Sequence, residues 1–265
     1  MTFQVMGGDR RQQYLADYIA AKGFTVTTAY LDGDQPPDPE AQIVILPLPV
    51  SRDGKTLNAP LCGQPPTLEQ VAGYCAGRRV FGGMLPPSLA GTDYFAAEEI
   101  TAANVIPTVE GALALAIENT PFTLWEQPVL VLGAGRIGRL LAQRLYGLGA
   151  RVTVAARRPE SLIQCRALGV EARYYEDVAY NRYRLVLNTV PTTVLDRARL
   201  EKLPAGAVVM ELASAPGGFD PHLAQQLGLL PLMARGLPGQ YAPETAAALL
   251  GDYILKEMER LDGAL

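Results

Sequence analysis

The sequence predicts an α/β protein of two lobes, each built on a parallel sheet, and three observations carry that prediction. Short apolar runs alternate with longer stretches of helical periodicity along nearly the whole chain, the order that builds parallel sheets through βαβ crossovers. From Val129 to Pro159 a strand, a glycine-rich turn, a helix and a second strand follow one another directly. A length of 265 residues is enough to bury a sizeable core and to divide into two domains.

Taken in order, Phe3 to Met6 reads as a strand, Gly7-Gly8-Asp9 as a turn, and Arg11 to Lys22 as a helix with Leu15, Tyr18 and Ile19 at helical spacing. Phe24 to Ala29 is the second strand. Gln42 to Leu46, almost continuously apolar, suits a strand covered on both faces. Ser51 to Pro66 is loop, Leu68 to Ala76 a helix, Arg79 to Gly82 a strand and Asp93 to Glu99 a helical turn. Thr108 to Ile117, behind Pro107, connects the lobes as a helix; Thr108 is its N-cap and Glu110 lies in its first turn. Strands near Glu171 to Tyr174, Leu185 to Asn188, Ala207 to Leu212 and Leu229 to Met233 complete a second sheet of about six strands. The last helix, Thr245 to Leu261, carries Ala248, Leu249, Ile254, Leu255 and Met258 on a broad apolar face and is expected to cross back to the first lobe. The expected division is 1–103, completed by 243–265, and 104–242, with a hinge at Gly236 to Ala242 and a ligand cleft between the lobes.

Bulk properties narrow the function. Charged residues make up 19% and the net charge is −4, which leaves no basic excess for nucleic acid. Cys62, Cys75 and Cys165 form no CxxC pair and read as reduced thiols of a cytoplasmic protein. The opening MTFQVMGGDRRQQ turns polar too early for a secretory signal, and no run reaches the ~20 apolar residues of a transmembrane helix. The one histidine, His222, follows Asp220-Pro221 and reads as a first-turn surface residue; no metal site is predicted.

Gly133-Ala134-Gly135-Arg136-Ile137-Gly138 fits the dinucleotide fingerprint in its required setting, after a buried strand and at the start of a helix. A missing side chain at each glycine serves the tight turn, the approach of backbone to a pyrophosphate and the close packing of helix on strand. This predicts an NAD(P)-binding Rossmann domain, with a smaller Rossmann-like domain before it. The second strand ends in Ala156-Arg157-Arg158, where a carboxylate would hold the ribose of NAD. A guanidinium suits a 2′-phosphate instead, so the expected cofactor is NADP.

Further residues lie at strand ends, where ligands of open α/β sheets bind. Asn188, Thr189 and Pro191, after the fourth strand, are expected to reach the nicotinamide side, and Gly236 ends the sixth. Glu211 and Ser214 open the loop after the fifth strand. Asp9, Arg11 and Arg52 at strand ends of the first lobe, with Thr108 and Ser214, are candidate binders of a small dicarboxylate. Glu110 and then Glu211 are the candidate acid-base residues.

GGDxRQ, IPTVEG, GxGRxG followed by ARR, NTVP, ELASAPGG and GLPGxxAPxTA together resemble the dipicolinate synthase A-subunit family across nearly the whole chain. The resemblance implies an NADP-dependent oxidoreductase of dipicolinic acid biosynthesis in sporulation, in the mother-cell cytoplasm. It implies dehydrogenation of 4-hydroxytetrahydrodipicolinate, after loss of water, together with a flavoprotein-like B-subunit; self-association is compatible with it. Relatives carry LASRPGG where this chain has Ala215 in place of the arginine, which bears on how a substrate carboxylate is held. The alternatives are a shikimate- or amino-acid-dehydrogenase-like oxidoreductase and a non-catalytic NADP-sensing protein.

Overall fold

A computed structural model describes residues 1–263 as two compact units, one of residues 1–104 with 238–265 and the other of Val105–Leu237; the last two residues of the predicted C-terminal segment lie outside the described residues. In the first unit β1 (Thr2–Met6), α1 (Arg10–Ala21), β2 (Thr25–Ala29), β3 (Ile43–Ile45), α2 (Leu68–Cys75), β4 (Arg79–Gly82), β5 (Thr92–Asp93) and α3 (Glu98–Ala103) follow in order. Its sheet is parallel throughout, in the order β2-β1-β3-β4-β5. The order reverses between β1 and β3, the switch point of a flavodoxin-like sheet.

The second unit contains α4 (Val105–Glu118), β6 (Pro128–Leu132), α5 (Arg136–Gly147), β7 (Arg151–Ala155), α6 (Pro159–Ala167), β8 (Glu171–Arg173), β9 (Leu185–Asn188), α7 (Arg197–Leu200), β10 (Val208–Glu211), α8 (Pro221–Gln226) and β11 (Leu230–Met233). All six strands are parallel, in the order β11-β10-β9-β6-β7-β8. Numbered within the unit, this is the 3-2-1-4-5-6 order of a dinucleotide-binding Rossmann sheet read from its far edge. The chain then forms α9 (Leu237–Tyr241) and α10 (Pro243–Asp262).

The central strands β1, β3 and β4 of the first sheet are buried on both faces because their side chains alternate between two apolar layers. Phe3, Val5, Ile43, Ile45 and Phe81 pack with Leu15 and Ile19 of α1 and Ala247, Leu250, Ile254 and Met258 of α10. Met6, Val44, Leu46 and Val80 pack on the other side with Leu68, Val71 and Cys75 of α2. The buried stripe of α10 is therefore 247/250/254/258, whereas the sequence placed Ala248 and Leu249 on it; both are half-buried. The run Ala246–Leu250 is apolar at every position and leaves the helical phase open. Close packing decides it: a Cβ on Gly251 would meet Tyr18 Cδ1 at 2.5 Å, so this face lies against α1.

Three other elements differ from expectation. Thr92–Asp93 pairs with β4 as a fifth strand, too short to show alternation in sequence. The predicted hinge after Gly236 holds the short helix α9. The connecting helix starts at Val105, so Thr108 is not its N-cap and Glu110 lies beyond the first turn. Pro107 occupies the third helical position, where its missing N–H breaks no bond within α4, and the turn at Asn104 separates α4 from α3. Glu98–Glu118 matches a membrane span by length and composition alone, with mean hydropathy 1.6; Val105, Val109, Ala112 and Ala116 of this stretch are buried.

Candidate dinucleotide-binding site

The turn from β6 into α5 assigns each glycine of the fingerprint a different steric task. Gly133 has φ +100°, and a Cβ there would collide with the Thr189 hydroxyl. A Cβ on Gly138 would collide with the Gly133 carbonyl oxygen, so the third glycine lets α5 close on its own strand. Gly135 has ordinary φ, −75°, and a Cβ on it would meet nothing within 4 Å. It is the N-cap of α5 and offers no side chain to the first-turn N–H groups, which leaves the helix's positive end addressed to whatever fills that space.

The space is a cavity of about 580 Å³ lined by Gly133–Gly135, Ala156–Arg158, Ser161, Tyr175 and residues 189–194. These residues fit a dinucleotide: an open cradle at Gly135 for the pyrophosphate, and two guanidinium groups beyond the end of β7 for the adenosine ribose. The two arginines are not equivalent. Arg158 pairs with Glu160 at 3.4 Å on the surface, whereas Arg157 lies near the Tyr175 hydroxyl, which burial pushes above its usual range against the pull of Arg157 and Arg199. Tyr175, just beyond β8, and the buried Ser161 of α6 were not singled out by sequence reading. An aromatic directly after a strand end was the available signal.

Several predicted residues are placed otherwise. Asn188 is fully buried, and its amide is spent within the protein: Nδ2 donates to Val190 O and Glu211 Oε1, and Oδ1 accepts from Val190 N. It shapes the loop of residues 189–194, which lines the same cavity as Arg157. Thr189 donates to Leu132 O at 2.8 Å and, with Pro191, lines that cavity. Glu211 is also fully buried. Its Oε1 accepts from Asn188 and from Ala213 N, and its Oε2 accepts from Gly218 N at 2.6 Å. A carboxylate so enclosed has no path to a substrate proton, which removes it as a general base.

In the first unit Arg11 turns inward for a similar reason. Its guanidinium donates twice to Asp9 and once to Leu48 O, and only 6% of it is exposed. A Cβ on Gly239 would sit 2.8 Å from Arg11 Nε, so α9 also covers the pair. Asp9 caps α1 by accepting from Arg11 N. The pair therefore binds the strand-end loops of β1 and β3 together rather than holding a ligand. Arg52 is exposed with Nε on Asn58 Oδ1. Glu110 and Ser214 are exposed, Thr108 and Gly236 half-buried, and Arg136 and Ile137 occupy the first turn of α5.

Comparison with known proteins follows this division of the chain. Residues 2–102 match the N-terminal domain of the dipicolinate synthase A-subunit, and residues 114–223 match the NAD-binding domain of D-isomer specific 2-hydroxyacid dehydrogenases. The dipicolinate synthase A-subunit of Bacillus subtilis is 35% identical over 164 residues, 61% of this chain and 55% of that protein. The matched stretch thus spans little more than half of that relative. The crystal structure of the dipicolinate synthase A-subunit from Bacillus halodurans is 26% identical, with a TM-score of 0.82 over 96% of each chain. Escherichia coli D-lactate dehydrogenase, at 14% identity and a TM-score of 0.65 over 100% of this chain and 98% of that one, shares the fold. The second unit thus matches an oxidoreductase-type domain for a nicotinamide dinucleotide, and the first matches the N-terminal domain of the dipicolinate synthase A-subunit.

Proposed function

We propose that this chain is the dehydrogenase component of a dipicolinate-forming enzyme, with NADP as its hydride acceptor. The observation that carries the reading is a pairing on one chain: the N-terminal domain of a dipicolinate synthase, followed by a Rossmann unit with an open glycine cradle and arginines after its second strand. In the proposed reaction 4-hydroxytetrahydrodipicolinate loses water. The resulting dihydropyridine dicarboxylate then gives up one ring hydride and one proton, which leaves the aromatic dipicolinate. Aromatisation supplies much of the driving force, so the protein's main task is to orient two rings and satisfy two carboxylates.

When bound, the dinucleotide supplies the hydride acceptor. The chain's own residues then divide the remaining work. Arg157 is the proposed ligand of the 2′-phosphate, and the first-turn N–H groups of α5 hold the pyrophosphate. Arg52, exposed after β3, is proposed to bind a substrate carboxylate, with Thr108 and Ser214 as hydroxyl donors. Glu110, exposed on α4, is the proposed base for the ring proton. The proposed setting is the mother-cell cytoplasm of a sporulating bacterium, and the proposed partner is a flavoprotein-like B-subunit.

The test is direct. Purified chain, with and without its flavoprotein-like partner, is supplied with 4-hydroxytetrahydrodipicolinate and NADP or NAD. The reading requires reduced cofactor and a pyridine dicarboxylate in equal amounts; the absence of reduction with either cofactor overturns it.

A further inference from the structure

One buried carboxylate ties down both ends of the loop that lines the dinucleotide cavity. At the near end, Glu211 Oε1 accepts from Asn188 Nδ2 at 2.7 Å, and Asn188 in turn holds Val190 through its own N–H and carbonyl. At the far end, Glu211 Oε2 accepts from Gly218 N at 2.6 Å, and the Gly218 carbonyl accepts from Val194 N at 2.9 Å and Leu195 N at 3.0 Å. Between these ends lie Thr189 to Val194, which form one wall of the cavity. The fit around the bracket is close: a Cβ on Gly218 would collide with the Asn188 amide, and one on Gly217 would lie 2.8 Å from Glu211 Oε2.

Among the described residues no cation pairs with Glu211, so its charge is met only by N–H donors. Such a group is costly to bury unless every acceptor site is used. We propose that Glu211 is a positioning residue for the dinucleotide: through Asn188 and Gly218 it holds residues 189–194 in the conformation that receives the adenosine half of the cofactor. It touches no ligand itself. The inference rests on the dinucleotide site alone and does not depend on the identity of the substrate acid.

Glu211→Gln keeps the volume but turns a donor toward Gly218 N or Ala213 N, so one tie must break. NADPH and NADH are titrated by fluorescence into wild type and variant well below the melting temperature. The dissociation constant of the tighter cofactor should rise about tenfold or more, since small misplacements of a binding wall carry losses of this order. Amide hydrogen exchange should also quicken at Val194 and Leu195, although their own partner, the Gly218 carbonyl, is intact. Asn188→Ala, which releases only the near end, should give a smaller loss and carries the test if Glu211→Gln does not fold. A lowered melting temperature with unchanged dissociation constants and unchanged exchange at 194 and 195 overturns the proposal. Failure of dipicolinate formation with normal cofactor binding leaves it standing and removes only the substrate reading.

Discussion

The Thr189 hydroxyl stands where a side chain on Gly133 would have to go, and it donates there to the Leu132 carbonyl at 2.8 Å. The first fingerprint glycine is thus required by the neighbouring strand end, before any cofactor arrives. Gly135, two residues on, has open space around it.

Gly133→Ala and Gly135→Ala should therefore fail in different ways. The first places a Cβ at φ +100° against Thr189 and should destabilise the Rossmann unit by roughly 2–4 kcal/mol. The second should leave the melting temperature unchanged and raise the dinucleotide dissociation constant about tenfold or more, because the methyl enters the pyrophosphate's space. Thermal melts and cofactor titrations of both variants separate these outcomes.

Arg157→Ala should lower NADP-over-NAD selectivity by about 10- to 100-fold, the range of one or two charge-assisted hydrogen bonds. Arg158→Ala should matter less, since Arg158 already pairs with Glu160 at 3.4 Å. The ratio of kcat/KM with the two cofactors measures both. Equal effects of the two substitutions would refute this assignment of roles.

Arg11→Met should cost about 3 kcal/mol, because it strips a mostly buried partner from Asp9 and a donor from the Leu48 carbonyl. Urea unfolding reads the loss. A large fall in activity with stability intact would instead place Arg11 among the ligand-binding residues.

Burial pushes the Cys75 thiol up to about 11, from 9.0, with Arg78 opposing the shift. In the unfolded chain the thiol ionises near its ordinary value, so between about pH 9 and 11 the folded state retains a proton the unfolded state has released. Stability should be fully present below pH 9 and decline as pH rises through 11. Cys75→Ala should flatten that part of the urea-midpoint profile. The same thiol should resist alkylation by iodoacetamide in the native protein at pH 8.

The fold was legible because its signals are local. Alternating strand and helix periods announced both parallel sheets, and strand-turn-helix around Gly133 announced the dinucleotide domain. Where apolar residues run unbroken, as in Ala246–Leu250, the period loses its phase, and only packing against Tyr18 and Leu15 decided which side of α10 turns inward.

The sequence by itself determined the βαβ order, the glycine cradle and the arginines after its second strand, because each depends on neighbouring residues and on backbone geometry they control. The tertiary structure decided which polar residues face a ligand and which face the protein. Arg11, Asn188 and Glu211 look like site residues in sequence, yet the Leu48 carbonyl satisfies Arg11 from another segment, and Asn188 and Glu211 from two different strand ends satisfy each other. A buried polar group must find its partners wherever the fold brings them, and those partners are invisible until distant strand ends meet.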